Sequence, residues 1–141
     1  MNDTSYQNAL DYIYSYVDYS LTRAFRYSPE KFNLSRMEQL LTLIGNPHKD
    51  YRIIHLAGTK GKGSTAALIA SAYQAEGYKV GFYSSPHLID YCERIQVNGK
   101  IISQNDFVHL VNYIRPFAER VERITTFELT TAIAFLFFSI V

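Results

Sequence analysis

Apolar side chains recur at spacings of three and four residues near the start of the chain, which is the period of one helical face. These positions are Tyr6, Leu10, Ile13, Val17, Leu21 and Phe25. The pattern predicts an amphipathic opening helix. Several tyrosines in the same segment suggest a stacking surface as an alternative, but amphipathic side chains at the edge of a helix are the simpler interpretation.

A second helical pattern follows over residues 35–44. Ser35, followed three residues later by Glu38, has the spacing of a capping box, in which two side chains satisfy free amides at a helix start. Gly45 can end this helix because it tolerates a positive φ. The dipeptide Asn46-Pro47 then predicts a turn.

The middle of the chain alternates extended and helical segments. Residues 52–57 predict a strand, residues 64–76 a helix, and residues 79–83 a second strand. The helix is apolar on nearly every side, which predicts burial against a sheet. The order strand, loop, helix, strand predicts an α/β fold.

A hairpin is predicted next, over residues 94–102. Ile95, Val97 and Ile101 alternate with other side chains around Asn98-Gly99, a dipeptide suited to a type I′ turn. We interpret this hairpin as a structural element.

Two further helical patterns complete the chain. Ser103 with Asp106 predicts the start of one helix, and Pro116 is expected to kink or interrupt it. The other is the apolar run Leu129–Val141, whose 13 residues are fewer than the roughly 20 that a membrane-spanning helix needs. We expect this run to face a core that lies outside the given chain.

Composition and charge exclude several classes of function. Among 141 residues, 14 are basic and 13 acidic, so a net charge of +1 indicates neither a nucleic-acid surface nor an electrostatic membrane contact. A single cysteine, Cys92, excludes an internal disulfide framework and favours a reducing compartment. Because residues 1–4 have neither the basic nor the apolar region of a signal peptide, we expect a cytoplasmic protein.

A glycine-rich run stands between the predicted strand at 52–57 and the helix after it. Its members are Gly58, Thr59, Lys60, Gly61, Lys62, Gly63, Ser64 and Thr65. Glycines let the backbone turn its amides inward, the helix start adds partial positive charge, and Lys62 can reach terminal phosphates. The run predicts a phosphate-binding loop for ATP or GTP. A plain loop is the alternative, which the apolar helix behind the run disfavours.

This run departs from the common G-x-x-x-x-G-K-[ST] loop, because its first two glycines are closer together and Gly63 separates Lys62 from Ser64. The variant resembles the loop of the folylpolyglutamate synthase and dihydrofolate synthase branch of the Mur ligase superfamily. Three further segments carry the same resemblance: Ser84-Ser85-Pro86-His87-Leu88, Glu93-Arg94-Ile95 and Thr126-Phe127-Glu128.

The resemblance implies a P-loop-type, Rossmann-like ATPase domain with three layers and a mostly parallel sheet, truncated before its later strands. Residues 1–141 would form the N-terminal part of this domain, with its remainder and a C-terminal glutamate-ligase domain beyond Val141. An enzyme of this kind uses ATP and Mg²⁺ to add L-glutamate to folates or to dihydropteroate, through an acyl phosphate. We expect the fragment alone to be inactive, and the complete protein to be a monomer with small-molecule partners.

The resemblance also implies roles for individual residues. Lys62 is the expected catalytic contact to the β and γ phosphates, and the whole glycine-rich run would bind the triphosphate. Ser85 and Glu128 would bind Mg²⁺, with Ser64 or Thr65 as a further hydroxyl ligand. The expected folate-binding residues are Asn33, Leu34, Pro86 and His87.

These assignments have structural alternatives. Ser85 also suits a turn before Pro86, Glu128 a helix start, and residues 32–35 a plain helix-entry loop. At the level of function, a different P-loop NTPase or kinase and a noncatalytic nucleotide-binding module both stay open. Lys60 departs from the family pattern, which often has asparagine there, and adds a positive charge to the loop.

Overall fold

The computed structural model describes residues 3–16 and 34–141, which divide into two units. One unit contains the described residues up to Asp50 together with Asn105–Val141, and the other is Tyr51–Gln104. The elements, in chain order, are α1 (Asp3–Tyr14), α2 (Ser35–Leu43), a short 3-10 helix (Pro47–Lys49), α3 (Lys62–Ala75), β1 (Gly81–Tyr83), a second 3-10 helix (Tyr91–Arg94), β2 (Ile95–Val97), β3 (Lys100–Ile101), α4 (Gln104–Ala118) and α5 (Thr126–Ile140). The chain is therefore of the α/β class, as predicted.

Helix α5 lies at the centre of the first unit, where it contacts α1, α2 and the 3-10 helix at Pro47–Lys49. Its buried side chains are Thr126, Leu129, Thr130, Ala132, Ile133, Ala134, Leu136 and Phe137. The hydroxyl of Thr126 donates to the carbonyl of Ile13 at 3.2 Å, which joins the start of α5 to α1. The expectation that the apolar run 129–141 faces a core outside the chain is therefore wrong. The run buries its side chains within this unit, and burial of each large aliphatic side chain contributes about 1.5–3 kcal/mol.

The other helices of this unit follow the sequence pattern with local differences. Tyr6 and Ile13 are buried on α1, as predicted, whereas the continuation of that pattern at Val17, Leu21 and Phe25 lies outside the described residues. Pro116 lies in the last turn of α4, so the predicted interruption amounts to the end of the helix.

The start of α2 corrects one prediction. Leu34 is its N-cap, with a helical backbone at φ −68° and ψ −17°, and no side chain caps the helix. Ser35 already lies inside the first turn, so its side chain is not at the capping position and the predicted box with Glu38 is wrong. Gly45 follows the helix with φ +87°, as predicted.

The second unit contains α3 and a three-stranded antiparallel sheet in the order β1-β2-β3. Gly81 pairs with Val97, and Val97 also pairs with Lys100 across the predicted hairpin. Asn98 and Gly99 form its turn with φ of +50° and +70°, the two positive values that a type I′ turn requires. The hairpin and the strand at 79–83 are therefore confirmed, the strand in shortened form.

Two predictions for this unit are not met. Residues 52–57 form no strand, and the only pairing among the described strands is antiparallel, so the mostly parallel sheet stays a prediction. Helix α3 has no buried residue, and Leu68 is 73% exposed, so its predicted burial is wrong for the described structure. The reason is geometric: α3 contacts β1, but a three-residue strand is about 10 Å long whereas a 14-residue helix extends about 21 Å.

None of the described helices combines the length and apolar character that crossing a membrane requires.

Candidate functional site

The glycine-rich run forms the turn into α3. Gly61 is the N-cap and has a left-handed backbone, with φ 74° and ψ −6°, which favours glycine. The first helical hydrogen bond runs from the amide of Thr65 to the carbonyl of Gly61, at 2.9 Å. The amides of Lys62, Gly63 and Ser64 therefore have no acceptor within the helix, and no side chain caps them.

This turn has the chemistry of an anion site. All residues from 58 to 65 are exposed, so the three amides at the start of α3 are open to solvent. The helix dipole adds partial positive charge at the same end, and Lys60 and Lys62 add two ammonium groups. Together with the hydroxyl groups of Ser64 and Thr65, these groups can bind and neutralise a polyphosphate.

A second candidate segment is the loop from Ser84 to Asp90, which we call the Ser84–Asp90 loop. It begins at the end of β1, where the amide of Ser84 donates to the carbonyl of Arg94 at 3.0 Å. Its Ser85–Pro86 peptide bond is cis. Leu88 and Ile89, at its tip, are each 92% exposed. Burial of these side chains therefore does not hold the loop in shape.

Hydrogen bonds to Glu93 fix this loop instead. One carboxylate oxygen of Glu93 accepts from the amide of Leu88 at 2.8 Å, and the other accepts from the amides of Ile89 and Asp90 at 3.0 and 2.9 Å. In return, the Asp90 carboxylate accepts from the amide of Cys92 at 2.8 Å and also from the amide of Glu93, so that Asp90 and Glu93 form a capping box. These bonds, with that from Leu88 first, hold the pKa of Glu93 below its usual value.

The His87 side chain is held from the same side. The Nε of Arg94 donates to Nδ1 of His87 at 2.9 Å, and the guanidinium lies over the ring of Tyr91, 4.6 Å from its centroid. The imidazole also contacts this ring, at a centroid separation of 5.3 Å. An Nδ1 that accepts a hydrogen bond leaves the proton of a neutral imidazole on Nε2, so His87 has a hydrogen-bond donor for a ligand.

Glu128, in the first unit, lies at the start of α5. Its Oε2 accepts from the amide and the hydroxyl of Thr125, both at 2.8 Å, and Thr125 Oγ1 accepts from the Glu128 amide at 3.2 Å. Nε of Arg36 donates to Oε1 at 3.2 Å, and both side chains of this ion pair are nearly buried. Glu128 therefore already has a structural role: it caps α5 and binds a cation of the protein itself.

The predicted site residues thus fall into three groups. The glycine-rich run and the segment Ser85-Pro86-His87 belong to the second unit, whereas Glu128 and the exposed Leu34 belong to the first. Asn33 lies outside the described residues. Within residues 3–16 and 34–141, no three histidine, cysteine, aspartate or glutamate side chains group as a metal site. The Mg²⁺ assignment for Ser64, Ser85 and Glu128 stays a prediction.

Three contributors to these sites were missed in the sequence. Thr125, rather than Thr126, is the N-cap of α5, and the spacing Thr125-x-x-Glu128 is a capping-box pattern that was available. Asp90-x-x-Glu93 has the same spacing, with aspartate as the cap. No sequence signal could have found Arg36, because it lies 92 positions from Glu128 along the chain.

Comparisons with known proteins agree with this architecture, although no family model matches the chain. A dihydrofolate synthase/folylpolyglutamate synthase of Bacillus subtilis is 40% identical, over 96% of this chain and 31% of the relative. The crystal structure of a Thermotoga maritima folylpolyglutamate synthase superimposes with a TM-score of 0.82 at 35% identity, over 96% of this chain and 30% of that one. A folylpolyglutamate synthase complex with AMPPCP and folate gives 0.81 at 33% identity, over 98% and 32%.

The chain thus spans about a third of the length of these relatives. The similarity extends over 96–98% of this chain. Sequence and fold together establish that the chain belongs to the folylpolyglutamate synthase and dihydrofolate synthase family.

Proposed function

We propose that this chain is the triphosphate-binding part of an ATP-dependent ligase that adds L-glutamate to folates or to dihydropteroate. The observation that carries the proposal is the uncapped start of α3, with the left-handed Gly61 before it and Lys62 as its first residue. A related protein with the same fold has been solved with AMPPCP and folate, and another with ADP. Both support ATP as a ligand to test, and the first also supports a folate.

The proposed reaction needs no nucleophile from the protein. The carboxylate of the folate attacks the γ-phosphorus of ATP, which breaks the bond to the β-γ bridging oxygen and releases ADP. The amine of glutamate then attacks the resulting acyl phosphate, loses a proton, and displaces inorganic phosphate as the amide forms. The protein must hold the triphosphate, neutralise charge on the transferred group and align the substrates.

The residues of the glycine-rich run suit the first of these tasks. The amides of Lys62, Gly63 and Ser64 would donate to phosphate oxygens, because they have no acceptor in the helix. The ammonium group of Lys62 would contact the β and γ phosphates. Lys60, which is exposed like Lys62 but is assigned no direct phosphate contact, would add a weaker, longer-range attraction.

Mg²⁺ would neutralise part of the phosphate charge, and the proposed ligand residues carry the oxygen atoms that this ion prefers. Ser64 and Ser85, in the second unit, and Glu128, in the first, each offer a hard oxygen ligand, and Mg²⁺ commonly completes its coordination with waters and phosphate oxygens. Glu128 Oε1 accepts from Arg36 while Oε2 accepts from Thr125, so an ion would share the carboxylate with these donors. We infer that Glu128 keeps its capping role when it binds the ion.

His87 and Pro86 are the residues that we assign to the folate. With its Nδ1 bonded to Arg94, neutral His87 would donate from Nε2 to an acceptor atom of the substrate. We also propose Asn33 and Leu34 as folate-binding residues.

The test uses the protein in its natural length, with MgATP, L-glutamate and either tetrahydrofolate or dihydropteroate. Mass spectrometry detects the glutamylated product, and a coupled assay measures ADP. We expect product only when ATP, glutamate and a folate or pteroate acceptor are all present. ADP release that no folate or pteroate stimulates would indicate a different P-loop NTPase, and nucleotide binding without turnover would indicate a noncatalytic module.

A further inference from the structure

We propose that Glu93 is a positioning residue for substrate binding: its carboxylate fixes the backbone of the Ser84–Asp90 loop so that His87 meets the folate in one orientation. The inference rests on the proposed function, because it assigns the loop to the folate. It adds a role for a residue that itself contacts no proposed ligand.

The first step of the argument is the convergence of backbone amides on one carboxylate. Three consecutive amides, those of Leu88, Ile89 and Asp90, donate to Glu93 at 2.8–3.0 Å. Consecutive amides in an extended segment point in alternate directions, so a single acceptor for all three requires a tight, specific bend. The carboxylate thus determines the curvature of the loop tip.

The second step is that the loop has no hydrophobic anchor at this point. Leu88 and Ile89 are 92% exposed, so the tip gains almost nothing from apolar burial. Hydrogen bonds to a charged acceptor are stronger than those to a neutral one, so the negative charge of Glu93 strengthens the bonds that fix the loop tip. A neutral amide of the same shape would keep one acceptor oxygen but would place an NH₂ group against a backbone donor.

The third step connects the bend to His87. Arg94 is the neighbour of Glu93. Its Nε donates to Nδ1 of His87, and its backbone carbonyl accepts from the amide of Ser84. Glu93 and Arg94 both belong to the 3-10 helix Tyr91–Arg94. Tyr91 of this helix is 3% exposed, and its ring contacts the His87 and Arg94 side chains. Arg94 therefore holds the loop at its start and at His87, and the adjacent Glu93 holds it at its tip.

The experiment compares Glu93→Gln with wild type in the protein of natural length, and uses Glu76→Gln, at the exposed end of α3, as the matched control. Amide hydrogen exchange of Leu88, Ile89 and Asp90 is measured by NMR without ligands. Steady-state kinetics then give KM for the folate, KM for ATP and kcat. We expect Glu93→Gln to accelerate exchange at these amides and to raise the folate KM about tenfold, with ATP KM and kcat changed less than about threefold.

The outcomes separate the two proposals. Unchanged exchange in Glu93→Gln would overturn the role of the carboxylate in loop shape. Faster exchange with an unchanged folate KM would overturn the positioning role while leaving the ligase proposal intact. If the wild-type protein neither binds nor glutamylates a folate, the proposed function fails, and the positioning role fails with it. An equal effect of Glu76→Gln on the folate KM would show that charge loss alone, rather than the loop contact, is responsible.

Discussion

Arg36 and Glu128 form an ion pair between the first turn of α2 and the first turn of α5, with Nε of Arg36 3.2 Å from Oε1 of Glu128. Their side chains are only 13% and 12% exposed, so solvent screens the pair far less than it screens a surface salt bridge. The Glu128 carboxylate meanwhile caps α5 through Thr125. The Glu128 side chain thus joins α2 to α5 and accepts hydrogen bonds from the capping residue of α5.

We predict that Arg36→Met lowers the free energy of unfolding by about 1–3 kcal/mol, because it leaves a nearly buried carboxylate without its cation. Urea unfolding measures this loss. Since Arg36 has further interactions, a double-mutant cycle with Glu128→Gln isolates the pair, for which we expect a coupling energy of about 1–2 kcal/mol. Arg120→Met, at an exposed position, is the control and should have little effect. Additive effects of the two substitutions would show that the pair contributes nothing.

The capping boxes show how far sequence reasoning extends for these helices. Three segments have a serine, threonine or aspartate followed three positions later by glutamate, ending at Glu38, Glu93 and Glu128. Capping boxes form at Glu93 and Glu128, where the capping residue has an extended backbone. No box forms at Glu38, because Leu34 has a helical backbone and the helix therefore starts one residue earlier than predicted. The pattern predicts a helix start; the preceding backbone decides which residue caps it.

Long-range packing explains the other differences. The apolar run at the end of the chain correctly predicts helix α5, but the partners that bury it on α1 and α2 are far away in sequence. Residues 52–57 and α3 have the composition of buried elements and are mostly exposed. A strand needs hydrogen-bonded neighbours and an apolar helix needs a sheet of matching width, and local sequence specifies neither. The turn into α3 at Gly61 was predictable because the glycines that form it are close together in the sequence, whereas its binding of phosphate stays a prediction.

The backbone of Gly61 leads to a second prediction. Its φ of +74° is strained for any residue with a Cβ, although a Cβ there would meet no atom within 4 Å. Gly61→Ala should therefore destabilise the protein by about 1–2 kcal/mol through backbone strain alone and should weaken ATP binding. Thermal unfolding and calorimetric titration with ATP measure the two effects.

Gly63→Ala provides the matched control for Gly61→Ala. Gly63 is helical and also has open space around its Cβ position, so alanine should stabilise α3 by roughly 0.5 kcal/mol. Opposite signs for the same chemical change would confirm the left-handed turn. If both substitutions have the same effect on stability, the turn does not have the described conformation.

Glu93 leads to a prediction of pH dependence. Its pKa is lowered in the folded protein, chiefly by the hydrogen bond from the Leu88 amide. Because the pKa of Glu93 is lower in the folded than in the unfolded protein, ionised Glu93 stabilises the fold at pH values above the unfolded pKa of about 4.5. This stabilisation is lost as the pH falls through the folded pKa. The difference in Tm between wild type and Glu93→Gln should therefore be constant near neutral pH and shrink below about pH 4.5. A difference that grows on acidification would contradict the hydrogen-bonded carboxylate.

Lys62 leads to the last prediction, which concerns turnover in the protein of natural length. If its ammonium group neutralises charge on the transferred phosphoryl group, Lys62→Ala should lower kcat by roughly two to three orders of magnitude, the scale of losing one preorganised charge stabiliser. Lys60→Ala is the matched control, because it removes the same charge from the same exposed loop, two residues earlier. There we expect a loss below about tenfold, because Lys62, and not Lys60, is proposed to contact the β and γ phosphates. Near-normal turnover of Lys62→Ala would exclude Lys62 from the mechanism, and equal losses in both variants would attribute the effect to net loop charge.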